Sequence, residues 1–260
     1  MPTVVAPTIY TSTKAVMSSV MGVWGTATIT PADISGLQLW LDGSDTSTIT
    51  QSAGAVSQWN DKSGNGFHFT QATGANQPLT AADTINGRNV IKFDGAGDYL
   101  ANTDAGLMTI GQTANTLIIV FKFNVVPTGG QRIVAGSQDG LSTKWGFLRH
   151  PTSLKMQGVN YDYSGSSSTG SVAGDNVNPA KMQLTYDGIS SITVKYNGVT
   201  DTGAGKNTLT HTSIKLGISP SAVSTESLNG SIAEIIAYNK ALSAGEQSSI
   251  DNYLSSKWGV

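Results

Sequence analysis

Between Gly36 and Tyr238 the chain breaks again and again into short runs of alternating apolar residues, punctuated by Gly, Asn, Asp and Ser. That period of two leaves few folds open, because it is the signature of half-buried strands joined by tight turns. LQLWL (37–41) puts Leu37, Leu39 and Leu41 on one face. Val56 and Trp59 bound the next piece, DKSGNG (61–66) reads as a loop, and FHF (67–69), NVIKF (89–93) and YL (99–100) follow. NTLIIVFKFN (115–124) is the longest run and starts apolar on both faces, so it belongs in the middle of a sheet or between packed sheets. RIV (132–134), WGFL (145–148), MQLTY (182–186), ITVKY (192–196), IKLGI (214–218) and SIAEIIAY (231–238) continue the series. Asp187-Gly188 and Asn197-Gly198 are hairpin signals. No βαβ alternation interrupts the strands, which predicts an all-β sandwich.

The chain closes differently. Ser243-Ala244-Gly245-Glu246 has the form of a capping box, in which the Ser accepts from the third helical amide and the Glu reaches back to the cap. Gln247, Ile250, Leu254 and Trp258 then recur at helical spacing with Tyr253 beside them, and Gly259 follows where a left-handed residue ends a helix. One short C-terminal helix docked on a sheet edge or rim is expected. Trp40, Trp59 and Trp258 fall on apolar positions and read as core.

A chain of 260 residues has room for one large β domain or two small ones. Composition favours one, since only 12% of residues are charged and Gly, Ser, Thr and Asn fill the gap. Net charge is −2 with no basic run, which argues against binding nucleic acid or an anionic membrane surface. The absence of cysteine removes disulfides, thiol catalysis and thiolate metal sites together.

Residues 1–35 stand apart. Val4, Ile9, Tyr10, Val16, Met17, Val20 and Trp24 make the segment apolar, yet they keep no sustained period, and Pro7 and Lys14 interrupt them. No run approaches the ~20 apolar residues of a membrane span, so no membrane insertion is expected. The first thirteen residues lack the positive charge of a signal peptide. The segment is expected to be an extended attachment arm that binds a partner, with the β domain occupying residues 36–260.

Two blocks, GLQLWLDGSDTSTIT…VSQWNDKSGNGFHFTQ (36–71) and NGSIAEIIAYNKALSAGEQSSIDNYLSSKWG (229–259), resemble the laminin-G-like branch of the concanavalin A-like superfamily. The resemblance implies an all-β, two-sheet antiparallel jelly-roll sandwich, its two curved sheets stacked with the terminal strands adjacent, over residues 36–260. It implies no single function, because relatives include carbohydrate-binding modules, adhesion domains, glycosidases and bacteriophage surface proteins.

The glycosidases of that superfamily carry Glu-x-Asp-x-x-Glu on one strand, with acid and nucleophile ~5 Å apart. Here there are three glutamates, Glu226, Glu234 and Glu246, and none belongs to such a set; Glu234 has no acidic partner nearby in sequence. His68, His150 and His211 are isolated and read as surface or strand residues. Asp42, Asp45, Asp61 and Asn65 offer hard oxygens in loops, and the relatives often hold calcium. Calcium is therefore the one cofactor these residues would admit, though none is required; the plainer reading is that Asp61 and Asn65 make turn hydrogen bonds. For a glycan, Trp145 and the stretch Asn160, Tyr161, Asp162 and Tyr163 offer aromatic faces beside amide and carboxylate groups. The same residues would equally serve a contact between subunits.

These features lead to the expectation of a non-enzymatic structural protein of a virus particle, a bacteriophage decoration, fibre or tail component assembled in host cytoplasm. Its arm would bind other virion proteins, its roll would form homo-oligomers at the virion surface, and host cell-surface glycans would be its outer partners. A free carbohydrate-binding module or lectin ranks second, and a polysaccharide-degrading enzyme third.

Overall fold

The structure, a computed structural model, describes residues 29–137, 145–160, 168–170, 172–174, 177–205, 211–219 and 226–260. Its first strands are β1 (Leu37–Asp42), β2 (Ile49–Ser52), β3 (Ala55–Trp59), β4 (Phe69–Thr70), β5 (Thr84–Ile85), β6 (Arg88–Asn89), β7 (Ile91–Asp94), β8 (Leu100–Asn102) and β9 (Asn115–Phe123). Then come β10 (Gln131–Ser137), β11 (Trp145–Arg149), β12 (Met156–Asn160), β13 (Ser168–Thr169), β14 (Ala180–Tyr186), β15 (Ser191–Tyr196), β16 (Val199–Ala204), β17 (Ser213–Leu216) and β18 (Asn229–Tyr238), before helix α1 (Ala244–Trp258).

Two antiparallel sheets stack as a jelly-roll-like sandwich. The first runs β1-β18-β9-β14-β15-β16, with β7 continuing the β1 side of β18. The second runs β13-β12-β11-β10-β17-β8-β4-β3-β2. Strand β9 sits between β18 and β14, and its two apolar faces have two destinations. Leu117, Ile119, Phe121 and Phe123 enter the core between the sheets, where they meet Trp59, Phe69, Ile133, Phe147 and Leu216. Ile118 and Val120 point outward into a second core with Trp40, Ile236 and Tyr238, which Ile250, Tyr253, Leu254 and Trp258 of α1 cover. The helix therefore lies on the outer face of the first sheet rather than at an edge or rim. Its capping box is formed, Gly259 ends it at φ 74°, and Asn86 and Arg88 of the β5–β6 hairpin donate to the carbonyl of Lys257.

Three local expectations change. A bulge between Leu37 and Leu39 breaks the alternation of β1, so Leu37 packs with the helix-side core while Leu39 and Leu41 face the other sheet. Asn197-Gly198 is the expected two-residue turn, with φ 48° and 76°. Asp187-Gly188 instead opens a four-residue loop (187–190), because the Asp187 carboxylate accepts from the amides of Ile189, Ser190 and Ser191. The last residues assigned to the arm also pack on the roll. Pro31–Asp33 forms a 3-10 turn, Ile34 is buried in the helix-side core, and Tyr238 Oη donates to the Pro31 carbonyl at 3.0 Å. Val4, Ile9, Tyr10, Val16, Met17, Val20 and Trp24 lie outside the described residues. Among the described residues no helix is long and apolar enough to cross a membrane.

Candidate functional site

One end of the sandwich is roofed by the connection between β8 and β9. This segment leaves the second sheet at Asn102 and enters the first at Asn115, and it dips Leu107, Met108 and Ile110 into the core. Buried polar groups hold it from below. His211 donates its backbone amide to the Met108 carbonyl and its Nε2–H to that of Ile110, both at 2.9 Å. Because a carbonyl only accepts, the ring proton is on Nε2; burial pushes the imidazole down to about 4, against the opposing pull of the Ile110 carbonyl. His211 is thus a buried structural residue just before β17, where a surface or strand residue was expected.

Trp145 and Asn160 belong to this same support. They are cross-strand partners in β11 and β12 and face inward, with exposures of 1% and 0%. Trp145 Nε1 donates to Asn115 Oδ1 at 3.3 Å, and Asn160 Nδ2 reaches the Gly111 carbonyl at 3.5 Å. The expectation that Trp145 and Asn160 present themselves to a glycan is therefore corrected: burial leaves them no open face, and they position the roof instead. Tyr161, Asp162 and Tyr163 lie outside the described residues.

The outer side of the roof carries two polar depressions. One, of about 170 Å³, is walled by Gln38, Thr109, Thr113, Asn115 and Asn239. Asn115 Nδ2 donates to the Thr113 carbonyl at 2.9 Å, so its carboxamide is locked by contacts at both ends. Gly36 permits the rim here: its φ is 86°, and a Cβ would stand 2.5 Å from Asn239 Oδ1. The other depression, of about 250 Å³, is lined by His68, Thr70, Asn102, Thr103 and Asp104. Asn102 is again a brace, donating to the His68 carbonyl and accepting from the Asp104 amide, each at 2.8 Å.

The residues expected to hold calcium divide into two groups. Asp61 accepts from the amides of Trp40, Ser63 and Phe67, and Asn65 donates to the carbonyls of Leu37 and Gln38, which ties the 61–67 loop along the free edge of β1. Asp42 and Asp45 instead face cations: Lys62 lies 3.0 Å from Asp42 and 2.8 Å from Asp45, and Lys257 lies 2.7 Å from Asp42. Burial opposes ionisation of Asp42, but Lys257, Ser44 and Lys62 together hold its carboxyl below the ordinary range. These oxygens do not converge on one point, ammonium groups already neutralise part of them, and among the described residues no three metal-ligating side chains cluster. The turn-bond reading of Asp61 and Asn65 accounts for what they do.

Glu234 is not alone in space. It stands opposite Asp42 in the β1–β18 register, and Lys257 bridges the two carboxylates, 3.0 Å from Glu234. Trp40 Nε1, Trp258 Nε1 and Tyr253 Oη donate to it at 2.6, 2.5 and 2.8 Å. Burial pushes its carboxyl above the ordinary range, with Lys257 pulling the other way. With 1% exposure under α1, this cluster joins helix to sheet and offers nothing to a ligand.

With this geometry in hand, comparison with known proteins bears on the fold. No protein-family model matches the chain, and no curated protein matches it in sequence. Solved structures do match. Trypanosoma rangeli sialidase in complex with sialic acid is similar at TM-score 0.62 and 15% identity, over 87% of this chain and 34% of the sialidase. A mutant of that sialidase displaying trans-sialidase activity matches at 0.60 and 16%, over 86% and 33%. The binding domain of botulinum neurotoxin DC, in complex with rat synaptotagmin II, matches at 0.52 and 10%, over 85% and 51%. The chain thus spans about a third of the sialidases and half of the toxin domain, and at these identities the likeness carries the β-sandwich fold alone. It nevertheless corrects the expectation of a non-enzymatic virus-particle component. The similar structures named above are a sialidase, a mutant of it and a toxin's binding domain, which support neither the virion assignment nor the exclusion of an enzyme, so neither stands.

Proposed function

We propose that the chain is a carbohydrate-binding β-sandwich domain, acting as a lectin or as a module of a larger carbohydrate-active protein. The observation that carries this reading is the uncharged depression walled by Gln38, Thr109, Thr113, Asn115 and Asn239. A carboxamide offers a donor and an acceptor side by side, and a hydroxyl offers both on one atom, which matches the alternating donors and acceptors of a sugar's hydroxyls. Preorganisation supports it further. Asn115, 1% exposed and held by Trp145 and by the Thr113 carbonyl, braces the floor, so Gln38, Thr109, Thr113 and Asn239 are presented to a ligand on a fixed base. The laminin-G-like character of the 36–71 and 229–259 blocks agrees, and so does the fold's occurrence in a protein bound to sialic acid.

The test is a glycan microarray probed with the full chain and with a Gln38→Ala/Asn239→Ala double variant of unchanged thermal midpoint. Asn239 is exposed and Gln38 half-buried, and truncation at an exposed position costs about half a kcal/mol or less. The native chain should bind a defined subset of glycans and the double variant should lose it. Absence of any binding, or binding indifferent to both substitutions, would overturn the reading.

A further inference from the structure

The two depressions on the roof lie on either side of one stretch of chain. Asp104 lines one and Gly106 the other, and the Gly106 amide donates to Asp104 Oδ1 at 2.8 Å. The ridge between them is low because Gly106 has no side chain; a Cβ there would stand 2.9 Å from the ring of Phe67, which packs beneath it. Both depressions are polar and braced from below by buried carboxamides, Asn115 in one and Asn102 in the other. At about 170 and 250 Å³, each is smaller than the roughly 300 Å³ at which pockets for drug-sized ligands begin, so each suits one sugar-sized group.

Their charge is as informative as their shape. No Lys or Arg lines either depression. Beside Asn239 stands Lys240, whose ammonium is held 2.6 Å from Glu246, and Lys215, the cross-strand partner of Ala101 in the other depression, lies over the Tyr99 ring. The one carboxylate present, that of Asp104, stands where the two depressions meet. A carboxylated sugar would give up its hydration here without a charge-assisted hydrogen bond and would face that carboxylate. Resting on the carbohydrate-binding reading, we infer that the two depressions are adjoining subsites for a neutral oligosaccharide of at least two residues, and that Asp104 excludes acidic sugars such as the sialic acid held by the sialidase of like fold. Asp104 is then a specificity-determining residue. It accepts from the Gly106 amide with one oxygen and keeps the other for a sugar hydroxyl.

The experiment is isothermal titration calorimetry on the full chain with three probes: a galactose-terminated neutral trisaccharide, its sialylated counterpart and galactose alone. If the array shows another neutral glycan to be preferred, that trisaccharide, its uronic-acid analogue and its terminal monosaccharide replace them. The neutral trisaccharide should bind about tenfold or more tightly than either other probe, a ratio corresponding to about 1.4 kcal/mol. Asp104→Asn keeps an acceptor for Gly106 and removes the charge, so it should narrow the gap by strengthening binding of the acidic probe. Gain of binding is not something a misfolded variant produces. Equal or tighter binding of the acidic sugar by the native chain, or a full-strength response to the monosaccharide, would overturn the inference while leaving a glycan-binding protein. Absence of binding to every glycan would overturn both readings.

Discussion

Asp98 shows how a single carboxyl can set pH dependence from a turn. It follows β7 in the Asp94–Asp98 turn, is 5% exposed, and its Oδ2 accepts from the Asp94 amide at 3.0 Å. Burial first, and then the charge of Asp94, push its carboxyl up to about 6. Between the ordinary carboxylate value and about 6 the folded chain therefore holds a proton that the unfolded chain has released. The favourable term is largest at low pH and is lost as pH rises through about 6. Asp98→Asn keeps an acceptor for the Asp94 amide and adds a donor toward the Asp94 carboxylate. It should raise stability by about 1–3 kcal/mol near neutral pH and make little difference near pH 4. His211 acts oppositely over part of this range, since a neutral buried imidazole loses stability as pH falls from 6.5 toward about 4. Urea unfolding of variant and native chains at both pH values isolates the Asp98 term by difference; an Asn variant no more stable than the native chain near neutrality rules it out. Neither residue was legible in sequence, where DGAGD shows a turn but not a buried acid. Trp145 and Asn160 misled for the same reason: a Trp or Asn beside a Gly/Ser-rich stretch looks exposed until the strand pairing turns it inward.

At the scale of elements, alternation and capping carried most of what the sequence revealed. The strands fall on the runs of branched residues, and α1 begins and ends at Ser243 and Gly259 as its caps require. The bulges were hidden, because one extra residue inverts every following side chain without changing composition. In β18 the shift between Ile232 and Glu234 has such an effect: Ile232 and Ile235 both face the inner core, and Glu234 turns toward α1. A lone glutamate in an apolar strand thereby becomes the acceptor joining Trp40, Tyr253, Trp258 and Lys257. Helix docking rests on this cluster and on the apolar side chains around it. Leu254 is fully buried between the helix and the sheet, so Leu254→Ala should cost about 2–5 kcal/mol in chemical denaturation. A loss under about half a kcal/mol, the scale of an exposed position, would mean that α1 is peripheral.

Over the whole molecule, the two sequence blocks that carry the family resemblance meet in space at the β1–β18 pair and the helix above it, where they build the fold. The candidate site draws on other residues. Gln38, Asn115 and Asn239 come from three distant places and share no spacing that a linear reading detects; the antiparallel register of β1, β18 and β9 brings them level. Residues 1–35 read as an arm because their apolar residues keep no period. The structure argues otherwise for the last turn of that segment. Ile34 is 7% exposed within the helix-side core, and the Pro31 carbonyl is the acceptor for the buried Tyr238 hydroxyl. Thr30 and Asp33 close the turn that presents both. Removing residues 29–34 would expose the apolar surface beside Trp40 and leave a phenolic hydroxyl without its partner, together worth about 2–4 kcal/mol. A chain of residues 29–260 should therefore be more stable than one of residues 35–260 by that amount, measured by urea unfolding at matched slope. Equal midpoints for the two would show that the roll begins at Ser35 after all.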